Sequence, residues 1–100
     1  MQDWALIRQQ LETEDSLKLP TPLRLRTLIL AAIQHGLLLP GTRVKETEVG
    51  IAFDVSRTPL REALAALKAD HILEVDGDGL RVRKLEWRDI TALYELRGSL

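Results

Sequence analysis

One hundred residues with 45% hydrophobic content suit a single compact domain with a modest core. The longest apolar run, Leu28 to Ile33, falls far short of the roughly 20 residues that cross a bilayer, and Asp3 and Glu12 interrupt any signal-peptide pattern. A cytoplasmic protein is therefore expected. The absence of cysteine excludes disulfides and thiolate metal sites, and a net charge of −1 excludes a globally basic surface.

In chain order, Trp4, Ile7 and Leu11 recur at helical spacing in a segment that ends near Ser16, where Pro20 and Pro22 break any helix. This segment, residues 1–20, reads as a partly helical N-terminal appendage. Leu25, Leu28, Ile29, Ala32 and Ile33 form the apolar stripe of a first core helix, closed by the cation His35 and the glycine Gly36. Pro40-Gly41 predicts a turn that returns the chain to a short helix from Glu46 to Phe53, with Val49 and Phe53 on one side.

Asp54-Val55 then leads into Ser56-Arg57-Thr58-Pro59-Leu60-Arg61-Glu62. Pro59 is tolerated only in a first helical turn, and Ser56 or Thr58 can act as N-cap, so a helix starts here and runs through Leu60, Leu64 and Leu67. Asp54 occupies the turn position where a left-handed residue is common, a conformation Asp tolerates better than most. Two helices joined by so tight a turn form a helix-turn-helix, whose second helix is placed for the major groove of DNA. Arg57 and Arg61, four apart, share one face near that helix's positive end. Ile72 to Val75 and Leu80 to Arg83 are strand patterns joined by Asp76-Gly77-Asp78-Gly79, a hairpin signal. The fold class is α+β: a winged helix-turn-helix over residues 21–85, with a three-helix core and a two-stranded wing. Arg43, Lys45, Arg57, Arg61, Lys68, Arg81, Arg83 and Lys84 all lie in this unit, while Glu12, Glu14 and Asp15 lie outside it. Asp89, Ile90, Leu93, Tyr94 and Arg97 predict the start of a further helix within residues 86–100.

The run from Gly36 to Val49, with Pro40-Gly41-Thr42-Arg43 and Lys45-Glu46-Thr47-Glu48, followed by Val55 to Leu64, resembles the DNA-binding domain of GntR-family transcription regulators, and the FadR-type branch most. The similarity covers roughly residues 22 to 97. Gly50 stands for the usual Ala, Asp54 and His71 for usual glycines, and the wing is short and acidic. The resemblance implies base-edge contacts from Arg57 and Arg61, phosphate contacts from Ser56 and Thr58, and a helix-two contact at Thr47, where the family often has Arg. Arg43 and Lys45 are expected at phosphate. A wing contact near Gly79 is implied as well, although Asp76 and Asp78 there would repel phosphate. The resemblance further implies a homodimer reading a palindromic operator, and a small-molecule effector bound by an all-helical C-terminal domain that begins at residues 93–97, making the protein a metabolite-responsive repressor.

Blander readings stand beside these. Arg57 and Arg61 as solvated charges would pair with Glu62 and Asp54. Glu74, Asp76, Asp78 and Gly79 imitate a calcium loop, but its twelfth position is Leu85 where a bidentate Glu is needed. His35 and His71 have no companion ligands at metal spacing, so no metal or other cofactor is expected in this chain. Without a nucleophile-base constellation or phosphate loop, no enzyme is expected. The alternative function is a winged helix that binds proteins, or a small ligand-binding module without DNA specificity.

Overall fold

Apolar residues spaced three and four apart lead the helices Trp4–Leu11, Thr21–Gln34, Glu46–Phe53 and Arg57–Ala69 each to bury one stripe against a shared core. The computed structural model describes residues 2–84. The helix expected over residues 89–97 lies outside the described residues. Asp3 caps α1 (Trp4–Leu11) by accepting from the Leu6 amide at 3.0 Å, and Thr13 and Ser16 form a capping box on the single turn α2 (Glu14–Leu17). Trp4 and Ile7 are almost completely buried in the cluster that also holds Leu25, Ile29, Val49 and Phe53. Within the segment read as an appendage, α2 buries no residue, whereas α1 thus packs into the core. Its apolar spacing identified the helix, but nothing local in the sequence says that α3 and α4 leave room for it.

Pro20 and Pro22 separate α2 from the next helix and also start it: α3 (Thr21–Gln34) has Pro22 in its first turn, where the missing N–H costs nothing. Its buried residues are Leu25, Leu28, Ile29 and Ala32, with Ile33 half-buried. Gly36, at φ +75°, ends the helix in a left-handed turn in which the Leu37 amide reaches back to the Ala32 carbonyl at 2.8 Å.

The same closure recurs where the sequence has no glycine. After α4 (Glu46–Phe53), Asp54 takes φ 53° and the Val55 amide donates to the Gly50 carbonyl at 3.1 Å. After α5 (Arg57–Ala69), His71 takes φ 60° and the Ile72 amide donates to the Leu67 carbonyl at 2.9 Å. Asp54 therefore has the left-handed geometry expected of the turn. His71, which stands where the family usually has glycine, is a strained helix closure.

The wing hairpin joins β2 (Leu73–Asp76) to β3 (Gly79–Val82), one residue out of phase with each expected strand. Asp76 pairs with Gly79, leaving Gly77-Asp78 as a two-residue loop with Gly77 at φ +65°. A third strand, β1 (Arg43–Val44), pairs antiparallel with β3 in the register Arg43↔Arg81 and Val44↔Leu80, so the sheet order is β1-β3-β2. Two residues carry no detectable alternation, so this strand left no signal of its own. The Pro40-Gly41 turn places it: Gly41 has φ +85° and its amide donates to the Val82 carbonyl at 2.8 Å.

Candidate nucleic-acid interface

The second helix of the helix-turn-helix begins where Pro59 allows. Ser56 is the residue at the cap of α5, yet its side chain makes no capping hydrogen bond, nor does Thr58 replace it. The expectation of a side-chain cap from either residue is not met. Exposed Ser56 and Thr58 hydroxyls and the open amides of the first turn therefore face outward beside the positive end of the helix.

Arg57 and Arg61 are both exposed, while Leu60, Ala63, Leu64 and Leu67 on the other side of α5 are buried. The core-facing leucines hold the two arginines outward. Neither arginine pairs with Glu62 or Asp54. Arg57 has no ion pair among the described residues, whereas Arg61 Nε donates to Glu46 Oε1 at 3.0 Å, across from the first residue of α4. The spacing of fifteen residues between the two gives no sign in the sequence that they pair. Glu46, Thr47, Gly50, Ile51, Arg57 and Leu60 line a concave groove between α4 and α5. Thr47, exposed on α4, shares this groove with Arg57.

The remaining cations divide. Lys45 lies at the start of α4 and its Nζ is 3.7 Å from Glu48 Oε1. Arg43 lies on the wing: Nε is 3.8 Å from Asp76 Oδ2 and Nη2 is 3.7 Å from Asp78 Oδ1. The acidic wing residues therefore hold Arg43 inward, toward Gly79, whose missing Cβ would come within 3.0 Å of Arg43 Nη2. Gly79 itself is the first residue of β3, just inside the Gly77-Asp78 tip. Arg81 and Glu74 pair across the β2–β3 ladder at 2.8 Å, and this hydrogen bond lowers the Glu74 carboxyl below its usual 4.5 and raises the Arg81 guanidinium. Exposed Lys68 joins Arg43 and Lys45 along a second groove, between α5 and the wing. No cluster of His, Cys, Asp and Glu among the described residues is arranged to hold a metal ion, and no helix among them is long and apolar enough to cross a membrane.

A helix-turn-helix with exposed arginines at the start of its second helix, braced by a hairpin that pairs back to the strand before its first, defines a winged-helix DNA-binding domain. Comparison with known proteins places it more narrowly. The chain belongs to the gntR family of bacterial regulatory proteins, whose family model matches residues 22–82. It is 35% identical over 81 residues to YdhC, an uncharacterized HTH-type transcriptional regulator of Bacillus subtilis (strain 168), an alignment covering 78% of this chain and 36% of that protein. It is 32% identical over 80 residues to the gluconate operon transcriptional repressor of the same organism, covering 80% of this chain and 33% of the repressor. The crystal structure of the AraR DNA-binding domain in complex with operator ORX1 superposes with a TM-score of 0.59 at 31% identity, over 66% of this chain and 82% of that one. The chain spans about a third of the length of the curated relatives it matches. Those relatives are transcriptional regulators.

Proposed function

We propose that this winged helix reads a palindromic operator as the DNA-binding part of a metabolite-responsive repressor of the FadR-type branch. The observation that carries the reading is the paired exposure of Arg57 and Arg61 on the outer face of α5, backed by a fully buried leucine row. Arginine's planar fork donates two parallel bonds to guanine O6 and N7 in the major groove, so these two side chains are assigned to bases. Ser56 and Thr58, at the open start of the same helix, are assigned to phosphate, as are Lys45 and Arg43, the latter after it leaves Asp76 and Asp78. Thr47, in the same groove as Arg57, replaces the family's frequent Arg with a shorter, uncharged reach. A wing contact near Gly79 has to overcome the Asp76 and Asp78 carboxylates at the tip, which oppose phosphate.

A homodimer formed through a C-terminal effector domain, with an organic-acid-sized metabolite bound there, fits the relatives' greater length and the half-site geometry of helix-turn-helix proteins. Cytoplasmic location and a DNA-binding unit without cofactor belong to the same reading. Titration of duplex DNA against salt tests it: several phosphate contacts give a steep negative log–log slope, which a protein-binding or small-ligand module lacks. R57A and R61A should each cost about 1 to 3 kcal/mol on the preferred duplex and relax its sequence preference without unfolding the domain. Retained preference in both variants would remove α5 from base reading.

A further inference from the structure

Of the two arginines assigned to bases, one is tethered within the protein. Arg61 Nε donates to Glu46 Oε1 at 3.0 Å, with the glutamate side chain 31% exposed and the arginine 63% exposed. The carboxylate is the more sheltered partner and the arginine side chain the more exposed. The bond joins the first turn of α4 to the second turn of α5, the two helices whose crossing defines the reading head. A guanidinium is planar, so a carboxylate on Nε sets the plane of the whole fork. Nη1 and Nη2, which have no acceptor among the described residues, form its outward end. With Nε engaged by Glu46, that end is the one left to give two parallel bonds to a guanine edge.

Glu46 has a cost as well, since an anion beside the DNA weakens attraction to every phosphate backbone. A residue that lowers affinity for all duplexes while confining one base reader increases the ratio of specific to non-specific binding. We propose that Glu46 is a positioning residue for specificity, which holds the Arg61 fork in its reading orientation and keeps it off the phosphate backbone. The inference rests on Arg61 being a base reader, and the test separates the two.

An exposed pair of this kind adds little to stability, so variants at Glu46 should fold. The chain, E46A, E46Q and R61A are each titrated with a duplex selected by the unmodified chain from a random pool, with its single-base-pair variants, and with a scrambled duplex at matched salt. E46A should lower the selected-to-scrambled affinity ratio on the order of tenfold, within the range of one lost bidentate contact. The lost preference should fall at the base pairs where R61A loses it, and E46A should cause no further loss of preference in the R61A background. Affinity for the scrambled duplex should rise, and its salt slope should steepen by about one phosphate contact, as the released guanidinium reaches the backbone. E46Q, which keeps an acceptor oxygen without the charge, should restore part of the preference. Unchanged base preferences in E46A, or losses at base pairs that R61A leaves untouched, would overturn the inference while leaving Arg61 a reader. Unchanged preferences in R61A would overturn the reader assignment, and the role of Glu46 with it.

Discussion

Arg8 Nη1 donates to the backbone oxygen of Ala52 at 2.9 Å, so the N-terminal helix holds the last turn of α4 just before the left-handed Asp54. The same guanidinium lies 6.0 Å from the centre of the Phe53 ring and its Nε bonds Glu12 at 3.2 Å. A cation at a helix C-terminus is favourable, and a charge-assisted bond to a carbonyl is stronger than a neutral one. R8A should therefore destabilise the domain by about 1 to 2 kcal/mol, measured by urea unfolding. R8K, which keeps the charge but not the fork, should recover only part of this.

Gly50 lies inside α4, where a Cβ would meet the Val55 carbonyl oxygen at 3.6 Å and Leu60 Cδ2 at 3.7 Å, both ordinary contacts. G50A should raise stability by roughly 0.5 to 1 kcal/mol through helix propensity alone. H71G should stabilise by about 1 kcal/mol for a different reason, since it removes the left-handed strain at φ 60°. For a domain of this size each gain corresponds to a few degrees in Tm, readable by calorimetry. A lower Tm in G50A would mean that the α4–α5 crossing has no room for a methyl group.

Asp78 is 3.7 Å from Arg43 at the wing tip. D78K should add one cation and remove one of the two carboxylates that hold Arg43, so affinity for all duplexes should rise by similar factors and the salt slope should steepen by roughly 0.9 per new phosphate contact. Sequence preference should barely move. No change in affinity, measured by fluorescence anisotropy on scrambled and selected duplexes, would place the wing away from DNA.

The Arg81 hydrogen bond holds the Glu74 carboxyl below its usual 4.5. A carboxylate depressed in the folded state contributes stability above its unfolded value, and that contribution is lost as pH falls through the folded one. Thermal stability should thus decline as pH drops below the ordinary carboxylate range. In E74Q this component should be missing, making the acid limb of the Tm profile flatter than that of the unmodified chain.

The reading head was legible because its signals are local: Pro59 and Ser56 locate the start of α5, Leu60, Leu64 and Leu67 define its buried row, and Asp76 to Gly79 announce a hairpin. What escaped depends on pairs far apart in the chain. Trp4 and Ile7 looked like one face of a detached helix until α3 and α4 supplied the surface that buries them. Arg43-Val44 became a strand only through Arg81 and Leu80. The Arg61 partner lay fifteen residues back in the preceding helix, where charge patterning within one helix cannot reach. The resemblance to known regulators implies roles for Arg57, Ser56 and Thr47, but the carboxylate partners of Arg61, Arg43 and Arg81 came from the fold.

The root of the wing is fastened on the opposite side from its tip. β3 is the middle strand, bound to β2 on one edge and to β1 on the other, and β1 leads directly through Lys45 into α4. The Gly77-Asp78 loop lies beyond the last ladder pair, Asp76↔Gly79, so residues inserted there leave every rung intact. Loop length at this point is therefore a dimension that can drift during evolution, lengthening the arm or changing its charge, while the angle at which the arm leaves the body stays the one set by the two-residue strand before α4.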